Sequence, residues 1–255
     1  MGFRGTTKRD RGDERDDGLM VFGANPVREL LRSAHPVRRV YVARGGAGAG
    51  DEIATLAAAR GVVLTEVDRV DLARRARSEH HQGMVAETPG FAYSELTEII
   101  AAGATTLLAL DGVQDPRNLG AILRTARAAG VGGVVLPKDR TVGVTGVVVA
   151  AAAGLVFGLR IARVTNLARA MDALKEAGYW MVGLSAGAPE PLANLKLPAK
   201  NALVVGSEGG GLRRLVAARC DFLARIPMAP GVESLNVSVA TGMALYELLL
   251  RGRLS

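Results

Sequence analysis

Apolar residues recur along the chain in two periods. Leu167, Ala170, Met171 and Leu174 fall on one helical face, the pattern of a helix packed against a sheet. Residues 107–110 and 202–205 are instead short unbroken apolar runs, read as buried strands. In chain order, strands are predicted over 38–43, 62–67 and 83–86. Helices open between them at Asn25-Pro26, at Asp51 and at Asp68, where Asn or Asp serves as the cap. Residues 88–104 read as a linker with a short helix. The rhythm then resumes with strands over 107–110, 131–136, 179–184, 202–205 and 222–226. Helices run from Leu119, over 167–177 and 212–218, and from the loop before Val237 to about 250.

Strands alternating with helices predict an α/β fold with a mostly parallel sheet. The division expected is a disordered tail over 1–18, a small α/β unit over 19–90, a linker over 91–104 and a larger α/β domain over 105–255. The tail mixes acidic and basic residues with almost nothing apolar, so ordering it gains too little burial. Residues 141–159 hold no charge in the interior of an α/β pattern. The four glycines and two threonines of that run argue for a buried or subunit-facing segment and not a membrane span.

Three polar loops follow predicted strands. One runs Asp111-Gly-Val-Gln-Asp115-Pro-Arg-Asn118-Leu-Gly120-Ala-Ile-Leu-Arg124, with Asn118 placed as the cap of the next helix. The second, Gly206-Ser-Glu208-Gly-Gly-Gly211, lets the backbone approach a ligand closely. The third runs from Ile226-Pro-Met228 through Glu233-Ser234-Leu235-Asn236-Val-Ser238, where two prolines end a strand and a crowd of polar residues opens a helix. Ligands of parallel sheets bind where such loops gather at the carboxyl edge. The glycine spacing is not that of a dinucleotide fingerprint, which disfavours a nicotinamide-dependent oxidoreductase.

In order, Asn118-x-Gly120-x-x-x-Arg124, Gly206-Ser-Glu208-Gly-x-Gly211 and Ile226-Pro-Met228 with Ser234-Leu-Asn236-Val-Ser-Val-Ala240 resemble the three motifs of the SpoU/TrmH branch of the SPOUT methyltransferases. The resemblance covers about residues 105–250. It implies a C-terminal α/β domain with a trefoil knot, a homodimer through that domain, and methyl transfer from S-adenosylmethionine to a ribose 2′-hydroxyl of RNA. It also implies roles: Arg124 at the hydroxyl and adjacent phosphate, Asn118 orienting the ribose or holding the loop, Glu208 fixing Arg124 or the loop, and Ser234 and Asn236 at the target nucleotide or aligning their neighbours. Gly206, Ile226, Met228 and Leu235 are expected to line the cofactor pocket. The unit over 19–90, ending in His81-Gln82-Gly83, resembles the small RNA-binding domain of the members that act on ribosomal RNA. Its Arg74, Arg75 and Arg77 are candidates for phosphates. A guanosine of 23S ribosomal RNA is the favoured target. Transfer RNA, a resistance-conferring ribosomal site, and a non-catalytic RNA binder of the same fold are the alternatives. The run Val-Val-Val-Ala-Ala-Ala-Ala-Gly-Leu-Val-Phe157-Gly departs from the family, where a polar helix with Glu near Phe157 is expected.

Charge and cysteine content narrow the setting. A formal net charge of +7 over 255 residues suits a polyanionic partner. A single cysteine, Cys220, excludes an internal disulfide and fits a reducing cytoplasm. The three histidines lie at no metal-binding spacing, so no metal is expected.

Overall fold

The computed structural model describes residues 18–45 and 49–250. The expected tail over 1–18 lies almost entirely outside them. A small sheet comes first: β1 (Leu19–Phe22), β2 (Arg39–Ala43), β3 (Val63–Val67) and β4 (Met84–Thr88), in the order β1-β4-β2-β3. β4 runs antiparallel to both its neighbours, and β2 and β3 are parallel. Helices α1 (Ala24–Arg32), α2 (Ala49–Ala59) and α3 (Arg69–Ala76) connect these strands.

Seven strands form the larger sheet: β5 (Thr106–Asp111), β6 (Val134–Pro137), β7 (Ile161–Val164), β8 (Trp180–Leu184), β9 (Glu190–Pro191), β10 (Asn201–Gly206) and β11 (Phe222–Arg225). Their order is β7-β6-β5-β10-β8-β11-β9, and every pair is parallel. The accompanying helices are α4 (Leu96–Ala101), α5 (Pro116–Ala129), α6 (Gly146–Ala151), α7 (Leu167–Glu176), α8 (Arg214–Ala217) and α9 (Val237–Leu245). Alternation along the strands sorts the two faces of the sheet. Leu108, Leu110, Leu203 and Val205 pack with α5, α6 and α9, whereas Leu107, Ala109, Ala202 and Val204 pack with α4, α7 and α8. The predicted face of α7 is buried throughout.

Several helix starts differ from expectation. α5 begins at Pro116, because proline is preorganised for a first helical position and the Asp115 carboxylate accepts from the Arg117 and Asn118 amides at 2.7 and 2.9 Å. Asn118 is therefore released from capping and sits inside the helix. α1 is capped by Gly23, so Asn25 lies within it, and Asp51 falls in the first turn of α2. Asp68 does cap α3. β1, β7 and β9 were not expected, since each has no more than four residues and little to mark it.

The apolar run over 141–159 has a place in the interior. Thr145 caps α6, and a short 3-10 turn (Leu155–Gly158) follows, with Val148, Val149, Ala152 and Val156 buried. Among the described residues no helix is long and apolar enough to cross a membrane. α6 lies directly on β1: a Cβ at Gly146 would sit 2.3 Å from the Met20 carbonyl oxygen. Phe157 packs with His35 and Phe91, at ring separations of 5.2 and 6.2 Å. The residues around β1, α1 and α6 thus share one continuous core. At ~1.5–3 kcal/mol for each fully buried aliphatic side chain, this seam is a substantial interface between the two sheets. It accounts for why the run is apolar where a polar helix was expected.

Candidate functional site

Because β5, β10, β8 and β11 are successive parallel neighbours, the four loops after them open on the same edge of the sheet. Three are the polar loops singled out in the sequence. The fourth, Ser185-Ala186-Gly187 after β8, carries no polar cluster. Its small residues ahead of a proline were the only signal it offered.

The loop after β10 is folded tightly. Ser207 and Gly211 exchange backbone hydrogen bonds of 3.1 and 3.0 Å. Gly211 adopts φ +61, with open space where a side chain would lie. Gly206 is limited by space instead: a Cβ there would lie 2.1 Å from the Gly211 carbonyl carbon. The far end of the loop is pinned by Asp111, a buried carboxylate closing β5. It accepts from the Arg213 backbone amide at 2.9 Å and from the guanidinium at 2.6 and 2.5 Å. Sequence reading missed this pair, because 102 residues separate its members.

Together these loops enclose a cavity of about 350 Å³, within the range of small-molecule sites. Gly206, Ile226, Met228 and Leu235, the residues assigned to the cofactor from sequence, all line it, and Glu208 and Ser234 reach it as well. Leu184 and Val205 complete an apolar wall, and residues 185–187 and 207–211 present backbone. Apolar side chains for a flat ring, with backbone groups at its edge, fit the adenosine of S-adenosylmethionine. The tight Gly206 turn keeps that cradle open.

Beside the cavity lies a hydrogen-bonded network. Glu208 accepts from the Asn118 amide nitrogen at 3.1 Å through one oxygen and from the Asn236 amide nitrogen at 3.3 Å through the other. Asn236 also donates to Asn118 Oδ1 at 3.0 Å. Its own Oδ1 caps α9, accepting from the Ser238 amide and hydroxyl at 2.9 and 2.6 Å. A carboxylate can only accept, so Glu208 fixes which way both amides face. Glu208 is therefore engaged with two asparagines and not with Arg124. Arg124 lies outside the cavity, exposed on α5, where its side chain makes no hydrogen bond or ion pair among the described residues. Ser234 is likewise exposed and unbonded. Cys220, half-buried against Gly183, has its thiol pushed up to about 12, mainly by burial and further by Asp221, so it is inert at neutral pH. No cluster of metal-ligating side chains occurs among the described residues.

The sequence and the fold are similar to those of known proteins. Residues 105–246 match the model of the SpoU rRNA methylase family, and residues 20–94 match that of RNA 2′-O ribose methyltransferase substrate binding. The 23S rRNA (guanosine-2′-O-)-methyltransferase RlmB of Pseudomonas aeruginosa is 44% identical over 237 residues, 90% of this chain and 95% of that protein. An S-adenosylmethionine-bound rRNA methyltransferase from Sinorhizobium meliloti is similar in structure, with a TM-score of 0.79 and 30% identity over 93% of this chain and 88% of that one. The SpoU methyltransferase AviRb of Streptomyces viridochromogenes shares the fold, with a TM-score of 0.80 at 22% identity, covering 95% of this chain and 92% of its own. The chain belongs to the SpoU rRNA methylase family and is an RNA methyltransferase that uses S-adenosylmethionine.

Proposed function

We propose that the protein methylates the ribose 2′-hydroxyl of a guanosine in 23S ribosomal RNA. The observation that carries the reading is the juxtaposition at one sheet edge of an apolar, backbone-lined cavity, a locked Asn118–Glu208–Asn236 network and an unbonded arginine on α5. Likeness to the Pseudomonas enzyme along nearly the whole chain, small sheet included, supports the choice of RNA.

S-adenosylmethionine supplies, when bound, an electrophilic methyl group on a positively charged sulfur. Ile226, Met228, Leu235 and the Gly206 loop, which line the cavity, would hold it. Arg124 binds the phosphate beside the target ribose through its guanidinium fork and stabilises the negative charge growing on the 2′-oxygen. It does not take the proton, since arginine stays protonated in proteins. For the transfer to balance, the sulfur–methyl bond would break as the oxygen–carbon bond forms, leaving a neutral thioether in the cavity, and the hydroxyl proton would go to phosphate or water. Ser234, which lines the cavity and whose hydroxyl has no hydrogen bond among the described residues, contacts the target nucleotide. Asn118 and Asn236 spend their polar atoms on each other, Glu208 and the α9 cap, which suits positioning of the loops around the ribose.

We also infer a homodimer through the larger sheet's helices, a trefoil-knotted C-terminal chain, and a cytoplasmic setting. Val239 and Met243 on α9 and Tyr246 just after it are 51%, 47% and 50% exposed and follow helical spacing, an apolar stripe suited to a second copy. α9 packs on α5, where Thr125 adjoins Gly242. The test is methyl transfer from labelled cofactor to 23S ribosomal RNA lacking its 2′-O-methyl groups, with the modified ribose mapped. A single methylated guanosine supports the reading. Transfer to transfer RNA alone overturns the choice of substrate.

A further inference from the structure

A second, larger groove lies where the two sheets meet, about 1280 Å³ in volume. α3 of the small unit forms one wall and the start of α5 the other, with β1 and α6 between them. Arg74, Arg77 and His80 line the first wall, and Arg117 stands on the second. No acidic residue is among the described residues that line it. Asp71, behind the first wall, neutralises part of that charge by pairing with Arg74 and Arg75. Arg75 is further occupied by stacking 4.0 Å over the Tyr41 ring. Arg77 and Arg117 are exposed, and neither side chain makes a hydrogen bond or ion pair among the described residues.

Arg117 is seven residues before Arg124 on the same helix. Seven residues are close to two full turns, so both arginines project from one face of α5, ~10 Å apart along its axis. Positive groups thus run from α3 across the groove to Arg117 and on to Arg124. The groove floor differs in character. It presents Met20, Phe91 and Val147, the last 43% exposed. Charged rims over an apolar and aromatic floor are how proteins hold unpaired nucleotides, with phosphates on the arginines and bases against the floor.

We propose that this groove binds an unpaired segment of the substrate RNA adjoining the methylated nucleotide, with Arg77 and Arg117 on its phosphates, and that the segment passes from the small sheet to α5 within one chain. The inference rests on the methyltransferase reading for the nature of the ligand. It goes further by assigning the path and making Arg117 a binding residue. The seam of α6 on β1 is then what holds the two rims at a fixed separation.

The experiment is filter binding of full-length protein to a 23S ribosomal RNA transcript across a salt series. Competition by an unstructured oligoribonucleotide and by the same strand in a duplex accompanies it. Arg77→Ala and Arg117→Ala each raise the Kd several-fold and reduce the salt slope by about 0.7 for every phosphate left without its arginine. Both keep S-adenosylmethionine affinity, measured by calorimetry, within about two-fold of wild type. Arg169→Ala, an exposed arginine on α7, leaves RNA binding unchanged, and the single strand competes better than the duplex. Wild-type Kd and salt slope in both groove variants overturn the proposal, as does equal competition by duplex. If those results appear while wild-type protein still methylates the transcript, the groove assignment alone falls. Loss of the methyltransferase reading itself is shown separately, by wild-type protein that transfers no methyl to any RNA.

Discussion

Gly206→Ala tests the cofactor cradle at its tightest point. The added methyl would lie 2.1 Å from the Gly211 carbonyl carbon, 2.2 Å from its oxygen and 2.4 Å from the Leu212 nitrogen. These are backbone atoms, so no side chain can swing aside. The loop has to open, and opening it breaks one or both of the Ser207–Gly211 backbone bonds. Each bond is worth ~1 kcal/mol net, and forcing an extra carbon into a packed site costs ~1–3 kcal/mol. The sum, about 2–5 kcal/mol, divides between lower stability and a displaced cradle. If about 1.4 kcal/mol reaches the bound state, S-adenosylmethionine affinity falls ten-fold. Gly211→Ala is the control, because its Cβ meets nothing within 4 Å and it bears only the left-handed backbone at φ +61, ~1–2 kcal/mol. Calorimetric titration with S-adenosylmethionine, paired with thermal unfolding, separates the two variants. A folded Gly206→Ala protein with wild-type affinity would show that this turn does not shape the pocket.

Three further substitutions have defined outcomes. Asp111→Ala strips Arg213 of its three bonds; because the Arg213 side chain is 43% exposed, the loss is about 1–3 kcal/mol of unfolding free energy by denaturant titration, together with weaker cofactor binding. His35 is held below its ordinary value of 6.5, chiefly by burial and further by Arg60, with the Pro89 backbone opposing. The folded state therefore favours the neutral ring, so stability is highest above pH ~6.5 and falls as the solution is acidified below it; His35→Phe flattens that part of a thermal-unfolding profile. Met243→Asp places a charge in the exposed α9 stripe, and sedimentation should show its monomer fraction rising above that of wild type.

The fold was legible where the pattern was long. The α7 face, the strand runs at 107–110 and 202–205 and the cap at Asp68 are all local signals, and the structure follows them. The three polar loops meet at one edge because parallel neighbours put equivalent ends together. What the chain hid was set by partners distant in sequence or by the chemistry of a single neighbour. Asp115 takes the helix cap from Asn118 because the proline that follows it starts the helix early. Glu208 turns to two asparagines, one 90 residues before it and the other 28 after it. Asp111 and Arg213 have no spacing that links them. The apolar run ending near Phe157 reads as buried, but only its packing on Met20, His35 and Phe91 reveals what buries it. Charge alone does not distinguish Arg117 from its neighbours. Its position opposite Arg77 depends on how the two sheets dock.

If Arg124 stabilises the charge that develops on the ribose oxygen, removing its guanidinium slows the transfer step itself. Single-turnover methyl transfer to 23S ribosomal RNA by Arg124→Ala protein, saturated with both substrates, tests it most directly. The expected rate is at least about 100-fold below wild type, with S-adenosylmethionine binding within a few-fold of normal. A rate near that of wild type would contradict it.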